Sequence, residues 1–204
     1  VNKIIKSKEI EKIDGVLLDI GISSMQLDRS IRGFSFKNDG PLDMRMSKRG
    51  PTAEDFINNA DENLISDVIF KYGEEKKAKT IARRIVKIRE EIKIDTTFKL
   101  SKIIESVYGV WKKQKIHPAT RSFQAIRIAI NNELYNLVNG LMSSYKILKV
   151  GGFFAIITFH SLEDRIVKRF FNQVSKLDNP LNEIKKVGGN YVPLFEKINK
   201  KPIV

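Results

Sequence analysis

Two short apolar runs limit this chain's folding options more than any other feature. Residues 14–20 read Asp-Gly-Val-Leu-Leu-Asp-Ile, and residues 153–159 read Phe-Phe-Ala-Ile-Ile-Thr-Phe. Each has strand length and consecutive apolar positions, the pattern of a parallel strand buried on both faces. A helical stripe precedes the second run: Phe123, Ile126, Ile130, Leu134, Leu137, Leu141, Tyr145 and Leu148 recur at spacings of three and four. It predicts one helix of about seven turns. A strand and a long helix leading into a second strand predict a parallel pair joined by a crossover, hence an α/β fold. Two strands do not make a stable sheet alone. The sheet is therefore expected to need further strands or another chain, as in a homodimer. The chain opens at Val1 in polar, helix-like sequence shortly before the first strand, and is read as a piece without its N-terminal part.

Between the strands the chain changes character twice. Residues 21–51 have loop composition, with turn signals at Arg32-Gly33-Phe34 and Asp39-Gly40-Pro41. Their Phe and Met content is unlike a solvated linker, and an aperiodic stretch this long is often functional. Residues 52–108 become helical. Thr52 with Asp55 reads as a capping box, and Leu64, Ile65, Val68 and Ile69 form an apolar face ending at Tyr72-Gly73. Residues 74–91 place Ala78, Ile81, Ala82, Ile85, Val86 and Ile88 on one side, with Lys76, Lys77, Lys79, Arg83, Arg84 and Lys87 around the other. Thr97 is expected to cap a third helix with Leu100, Ile103, Ile104 and Val107 facing inward. Val110–Lys115 is basic and holds the only Trp, Trp111. Leu162–Val174 is again helical, and the tail is basic.

The 204 residues carry 37 Lys and Arg against 24 Asp and Glu, a net charge of +13, and no cysteine. The charge favours an anionic partner, nucleic acid first. A Lys- and Asn-rich composition explains part of the same excess. No disulfide or Cys-ligated metal site is possible, as in a cytoplasmic protein. No run approaches the roughly 18 apolar residues of a membrane helix, and residues 1–6 lack a signal-peptide pattern.

Polar groups follow both strands. The first run brings Asp19, Gly21, Ser23, Ser24 and Gln26; the second brings His160, Ser161, Glu163 and Asp164. Ligands of open α/β sheets sit at such strand ends, although a carboxylate there also caps turns. His117, Thr120, Arg121, Ser122 and Gln124 form a third group, at a helix start. No metal-ligand spacing joins the two histidines. Nucleophile elbows and Walker loops are absent. The Lys149-Val150-Gly151-Gly152 turn matches a turn common in class I methyltransferases, with Val150 in the proline place.

Five blocks then resemble one family. Asp14–Leu27, Arg32–Phe36 (Arg-Gly-Phe-Ser-Phe), Asp39–Met46 (Asp-Gly-Pro-Leu-Asp-Met-Arg-Met), His117–Arg127 (His-Pro-Ala-Thr-Arg-Ser-Phe-Gln-Ala-Ile-Arg) and Phe159–Lys168 look like the bacterial 16S rRNA cytosine-N4 methyltransferases, the MraW/RsmH family. Order and spacing agree; Met25 stands where many members have Pro. The resemblance implies a class I, Rossmann-like, S-adenosylmethionine-dependent methyltransferase with an inserted helical domain, incomplete in this chain because the family's glycine-rich cofactor loop lies upstream. It implies residues 1–30 and 118–204 as methyltransferase domain, around a loop and helical insert at 31–117. It implies N4-methylation of a cytidine in the decoding region, with 16S rRNA or the small ribosomal subunit as partner. Asp19 and Gln26 match family positions that bind S-adenosylmethionine. Ser23 and Ser24 are candidates for positioning the amine, or for shaping the turn. Asp43, Arg45, His117, Arg121 and His160 are candidates for holding substrate, or for internal ion pairs and caps. Two other readings are a non-catalytic RNA-binding module on the same scaffold and a DNA N4-cytosine methyltransferase. The lack of an Asn/Asp/Ser-Pro-Pro-aromatic motif opposes the latter.

Overall fold

The computed structural model describes residues 11–109, 116–176, 186–187, 190–191, 195–199 and 203. Residues 1–6, Val110–Lys115 with Trp111, and most of the tail lie outside them. The chain divides into two compact units: residues 1–21 with 134–204, and residues 22–133. The sequence placed its seams at 30 and 117. The helical unit extends further on both sides, because Ile22 and Ile130 pack on its core.

In the first unit, β1 (Ile13–Asp19) pairs in parallel with β2 (Leu148–Ile157), from Gly15 opposite Phe153 to Asp19 opposite Ile157. The expected turn at Lys149–Gly152 lies inside β2, where the register shifts between Ile13 and Gly15. Gly152 allows this, since a Cβ there would sit 2.8 Å from the Asp14 carbonyl oxygen. Helices α7 (Glu133–Ile147) and α8 (Ser161–Val174) supply Leu137, Leu141, Val167, Phe170 and Val174 to a core cluster. Leu18, Ile20, Phe154 and Ile156 pack on it. Phe154 meets Phe171 and Phe170 edge-on at 5.6 and 6.1 Å. The strands are not buried on both faces as expected. Leu17, Phe153 and Ile157 on the other face are 67, 66 and 46% exposed. Two-residue strands β3 (Lys186–Val187) and β4 (Asn190–Tyr191) pair antiparallel in the tail.

The second unit is a helical bundle roofed by the loop. A short α1 (Ser24–Asp28) and a 3₁₀ turn at Ser30–Arg32 lead into residues 33–52. Then come α2 (Ala53–Asn59), α3 (Glu62–Gly73), α4 (Ala78–Arg89), α5 (Thr97–Tyr108) and α6 (Ala119–Asn131). Thr52 and Asp55 form the expected capping box, but Asp61 caps a separate α3, accepting from the Leu64 N–H at 2.7 Å. Thr96 rather than Thr97 caps α5, accepting from the Lys99 N–H at 3.3 Å; Thr97 is buried. Ile65, Ile69, Ile81, Ile85, Leu100, Ile104 and Ile126 form the core. Leu64 is exposed instead. The loop is part of this core: Phe34, Leu42 and Met44 are buried in it. Loop and bundle are also bonded, through the Leu42 N–H to the Asp95 carbonyl at 2.9 Å and the Thr97 N–H to the Gly40 carbonyl at 2.9 Å.

The single seven-turn helix does not form. It breaks at Asn132, which is left-handed with φ 50° and ends α6 before α7 begins at Glu133. Asparagine tolerates that conformation better than any apolar residue, and the apolar stripe runs through the break without recording it. Among the described residues, no helix is long and apolar enough to cross a membrane.

Candidate functional site

In the first unit the parallel register decides which residues share a rim. Asp19 ends β1 opposite Ile157, the last residue of β2. The segments leaving both strands therefore emerge on one side. Gly21, with φ 108°, follows Asp19 so closely against the Phe159 ring that a Cβ would stand 3.1 Å from it. Asp19 is exposed and has no ion-pair partner among the described residues.

His160 lies on the other strand's exit as the N-cap of α8. Its Nδ1 accepts from the Glu163 N–H at 3.5 Å. Glu163 replies through Oε2, which accepts from the N–H groups of Phe159 at 2.9 Å and His160 at 3.3 Å. His160 Nε2 is 3.2 Å from Glu163 Oε1, close enough for an ion pair but off the hydrogen-bonding direction. The imidazole is thus built into the start of the helix. Glu163 is 3% exposed. Burial pushes its carboxyl up, but the adjoining His160 ring and the backbone N–H groups of Phe159 and His160 outweigh that and hold it below its ordinary value.

A group held below its ordinary value stabilises the folded chain fully above that value. The contribution is lost as pH falls through the lower folded value. Glu163→Gln is expected to lower Tm at neutral pH and to flatten its decline on acidification below pH 4.5. Parallel Tm-against-pH curves for the two proteins would contradict this.

In the second unit Ser23, Ser24 and Gln26 sit at the start of α1. Ser23 is its cap, with Oγ accepting from the Gln26 N–H at 3.3 Å. Gln26 Oε1 accepts from the Ser23 N–H at 3.0 Å. The Gln26 amide nitrogen has no partner among the described residues, and Ser24 is exposed. Asp43 and Arg45 bind one another: Arg45 Nε and Nη2 donate to Asp43 Oδ1 and Oδ2 at 2.8 and 2.9 Å. Arg45 Nη1 also donates to the Gly50 carbonyl at 2.9 Å. The hydrogen bond from Arg45, helped by its charge, holds the Asp43 carboxyl below its ordinary value despite partial burial. This pair shapes the loop.

His117 and Arg121 instead line a cavity of about 310 Å³, with Glu75, Lys76, Lys77, Tyr108, Ile116 and Pro118. His117 Nδ1 accepts from the Ala119 N–H at 3.2 Å, which places the ring's proton on Nε2. That nitrogen lies 3.2 Å from Glu105 Oε1. The ring stacks on Phe36 with centroids 4.5 Å apart. Glu75, 3% exposed, accepts from the Lys77 N–H at 2.8 Å. Burial, then the hydrogen bond to Glu75, hold the Tyr108 phenol well above its ordinary value, so it remains a donor. Lys77 Nζ lies 4.4 Å from the Tyr108 ring centroid. Sequence reasoning missed Glu75 and Tyr108. They are 33 positions apart, and only the Glu-Glu-Lys-Lys run at 74–77, too polar for the helices beside it, marks the place.

Comparison with known proteins follows the same blocks. The sequence profile described as the MraW methylase family matches residues 1–204. The chain is 51% identical over 172 residues to a ribosomal RNA small subunit methyltransferase H of Methylobacterium nodulans, covering 84% of this chain and 51% of that protein. It is 48% identical over 193 residues to the protein of that name in Jannaschia sp., covering 95% and 59%. With the one in Rickettsia felis it shares 55% over 171 residues, covering 84% and 55%. The chain spans about half the length of these curated relatives. With α/β strands carrying Asp19 to their rim and a profile match along its whole length, the chain belongs to the MraW methylase family.

Proposed function

We propose that the chain belongs to an enzyme that moves a methyl group from S-adenosylmethionine to the exocyclic N4 of a cytidine in the decoding region of 16S rRNA, in the small ribosomal subunit. The family match over residues 1–204 carries this reading. The proposed methyltransferase domain takes in residues 1–30 and 118–204, with the helical domain inserted between them. The discontinuous first unit supports that arrangement, with seams drawn at 21 and 134.

The residues present fit the cofactor. Asp19 offers an exposed carboxylate without an ion-pair partner to a cationic ligand, and Gln26 keeps an amide N–H₂ as donor once its oxygen is used in the cap. When bound, S-adenosylmethionine supplies an electrophilic methyl group on a positively charged sulfur. The chain's own task is to hold the amine. The cytosine N4 lone pair is delocalised into the ring, so acceptors for its N–H bonds orient it and strengthen it as a nucleophile. Little base strength is needed beforehand, because the amine becomes acidic only as the new bond forms. Ser24 is the better placed serine for this, since the Ser23 hydroxyl already serves the α1 cap.

Calorimetry of the full-length protein with S-adenosylmethionine tests the reading. Asp19→Asn is expected to weaken binding about tenfold, the scale of one charge-assisted hydrogen bond. Mass spectrometry should also find N4-methylcytidine missing from 16S rRNA of a deletion strain and restored by the gene. An absence of cofactor binding, or an unchanged nucleoside profile, would sink it.

A further inference from the structure

The exit of β2 carries two neighbouring rings that the fold treats in opposite ways. The His160 side chain, a candidate for holding substrate, is only 10% exposed and is taken up in the cap of α8. Phe159 before it is 67% exposed. A single exposed apolar residue is ordinary. Phe159 is set apart by how firmly it is mounted. Its backbone N–H donates to Glu163 Oε2 at 2.9 Å, and the next N–H, of His160, donates to the same oxygen at 3.3 Å. Glu163 is buried, so both bonds are shielded from water. One edge of the ring rests on Gly21, where a Cβ would meet Phe159 Cδ2 at 3.1 Å and Cε2 at 3.6 Å. The glycine leaves the ring a place that a side chain would crowd. Phe159 therefore reaches from the exit of β2 to the exit of β1, and the rest of its surface stays open.

This position suits a planar ligand beside the cofactor. Asp19 and Ile157 form the last pair of the ladder, so Phe159 stands two residues beyond the sheet, at its rim. Neighbouring strands lie about 4.8 Å apart. A ring laid on Phe159 can therefore bring its edge to the roughly 3 Å of a reacting pair from a group held at the Asp19 exit. Stacking also suits the chemistry. It fixes the plane of a pyrimidine through its face and leaves the edge with the exocyclic amine unoccupied. Enzymes that act on a nucleobase take it out of its stack and hold it against aromatic or apolar side chains.

We propose that the exposed ring of Phe159 is the platform on which the target cytosine lies during methyl transfer, its amine turned toward the Asp19 exit. The proposal rests on the reading that the enzyme methylates a cytidine, and it adds the residue that orients the base. Asp19 serves the cofactor on one strand exit, and Phe159 serves the base on the other.

Transfer of tritiated methyl from S-adenosylmethionine to small ribosomal subunits of a deletion strain tests this with the full-length enzyme, beside calorimetry of the cofactor. Phe159→Ala and Phe159→Leu should each lower kcat/KM for the subunit about thirtyfold, within the range of one base on one aromatic ring. Both should keep the wild-type Tm and cofactor affinity, because the ring is exposed and the cofactor is held elsewhere. Phe159→Trp, which keeps an aromatic face, should stay within about threefold of wild type. A wild-type rate for Phe159→Leu would reduce the ring to apolar packing and overturn the platform, as would a wild-type rate for Phe159→Ala. Equal losses in Phe159→Trp and Phe159→Ala would overturn it as well. A loss of cofactor affinity that matches the loss of rate would give the ring to the cofactor and overturn it too. Absence of methyl transfer by the wild-type enzyme would overturn the functional reading itself.

Discussion

Gly33→Ala is expected to cost the helical unit most of an ordinary domain's stability margin, about 4 kcal/mol or more. Gly33 is buried at φ 67°, a left-handed conformation that costs other residues about 1 kcal/mol or more. Sterics add the larger part. A Cβ there would stand 2.3 Å from the Pro41 carbonyl oxygen and 2.7 Å from the Asp43 nitrogen. Both are backbone atoms, so no side chain can rotate away. The backbone cannot shift freely either. Leu42 and Met44, fully buried on either side of Asp43, are tied by N–H bonds to the carbonyls of Asp95 and Arg32. Relieving the contact would pull both side chains out of the core. The combined cost should reach about 4 kcal/mol or more, the range of the most damaging single substitutions. Gly50→Ala is the control. Gly50 has φ 79° but nothing within 4 Å of the added carbon, so only the conformational cost of about 1 kcal/mol applies. Urea unfolding followed by circular dichroism measures both. Similar losses would show that the turn at Gly33 is not tightly packed.

That turn also shows how far the sequence can be read. The helix cores were legible because a 3.6-residue period writes burial directly into spacing; Ile81, Ala82 and Ile85 are buried as their positions required. The Thr52–Asp55 box was legible because both partners are local. Asp19 was legible as the end of a strand, since an apolar run stops there. Contacts distant in sequence left no pattern. The Asn131 side chain ties the loop to α6, accepting from the Met46 N–H at 2.7 Å and donating to the Met44 carbonyl at 2.7 Å. Nothing in residues 44–46 announces this. The break at Asn132 was hidden because a left-handed residue can interrupt a helix and leave the apolar spacing unchanged. The pairing of Asp43 with Arg45 was open among several partners, and only coordinates choose between them.

Arg127→Met is expected to destabilise the helical unit by about 3 kcal/mol. Arg127 Nε and Nη2 donate to Glu133 Oε1 and Oε2 at 2.8 and 2.9 Å. The pair bridges the break, with Arg127 four residues before the end of α6 and Glu133 just after Asn132. The two side chains are only 13 and 9% exposed. Such a pair gives little net gain over apolar packing, yet removing the arginine takes a bidentate cation from a carboxylate in a poorly solvated place, at about 3–5 kcal/mol. Arg127 also holds Asn131, whose Nδ2 donates to its carbonyl at 2.9 Å, so a shifted α6 end would loosen the Met44 and Met46 contacts as well. A double-mutant cycle with Glu133→Gln isolates the pair. A coupling energy of about 2 kcal/mol is expected, with little change in 0.5 M salt because a buried pair is weakly screened. The exposed Lys71–Asp67 pair, 62 and 60% accessible, should show no measurable coupling in the same assay. If the Arg127 and Glu133 effects were additive, the carboxylate would be stabilised by something other than its arginine, and the staple across Asn132 would have to be abandoned.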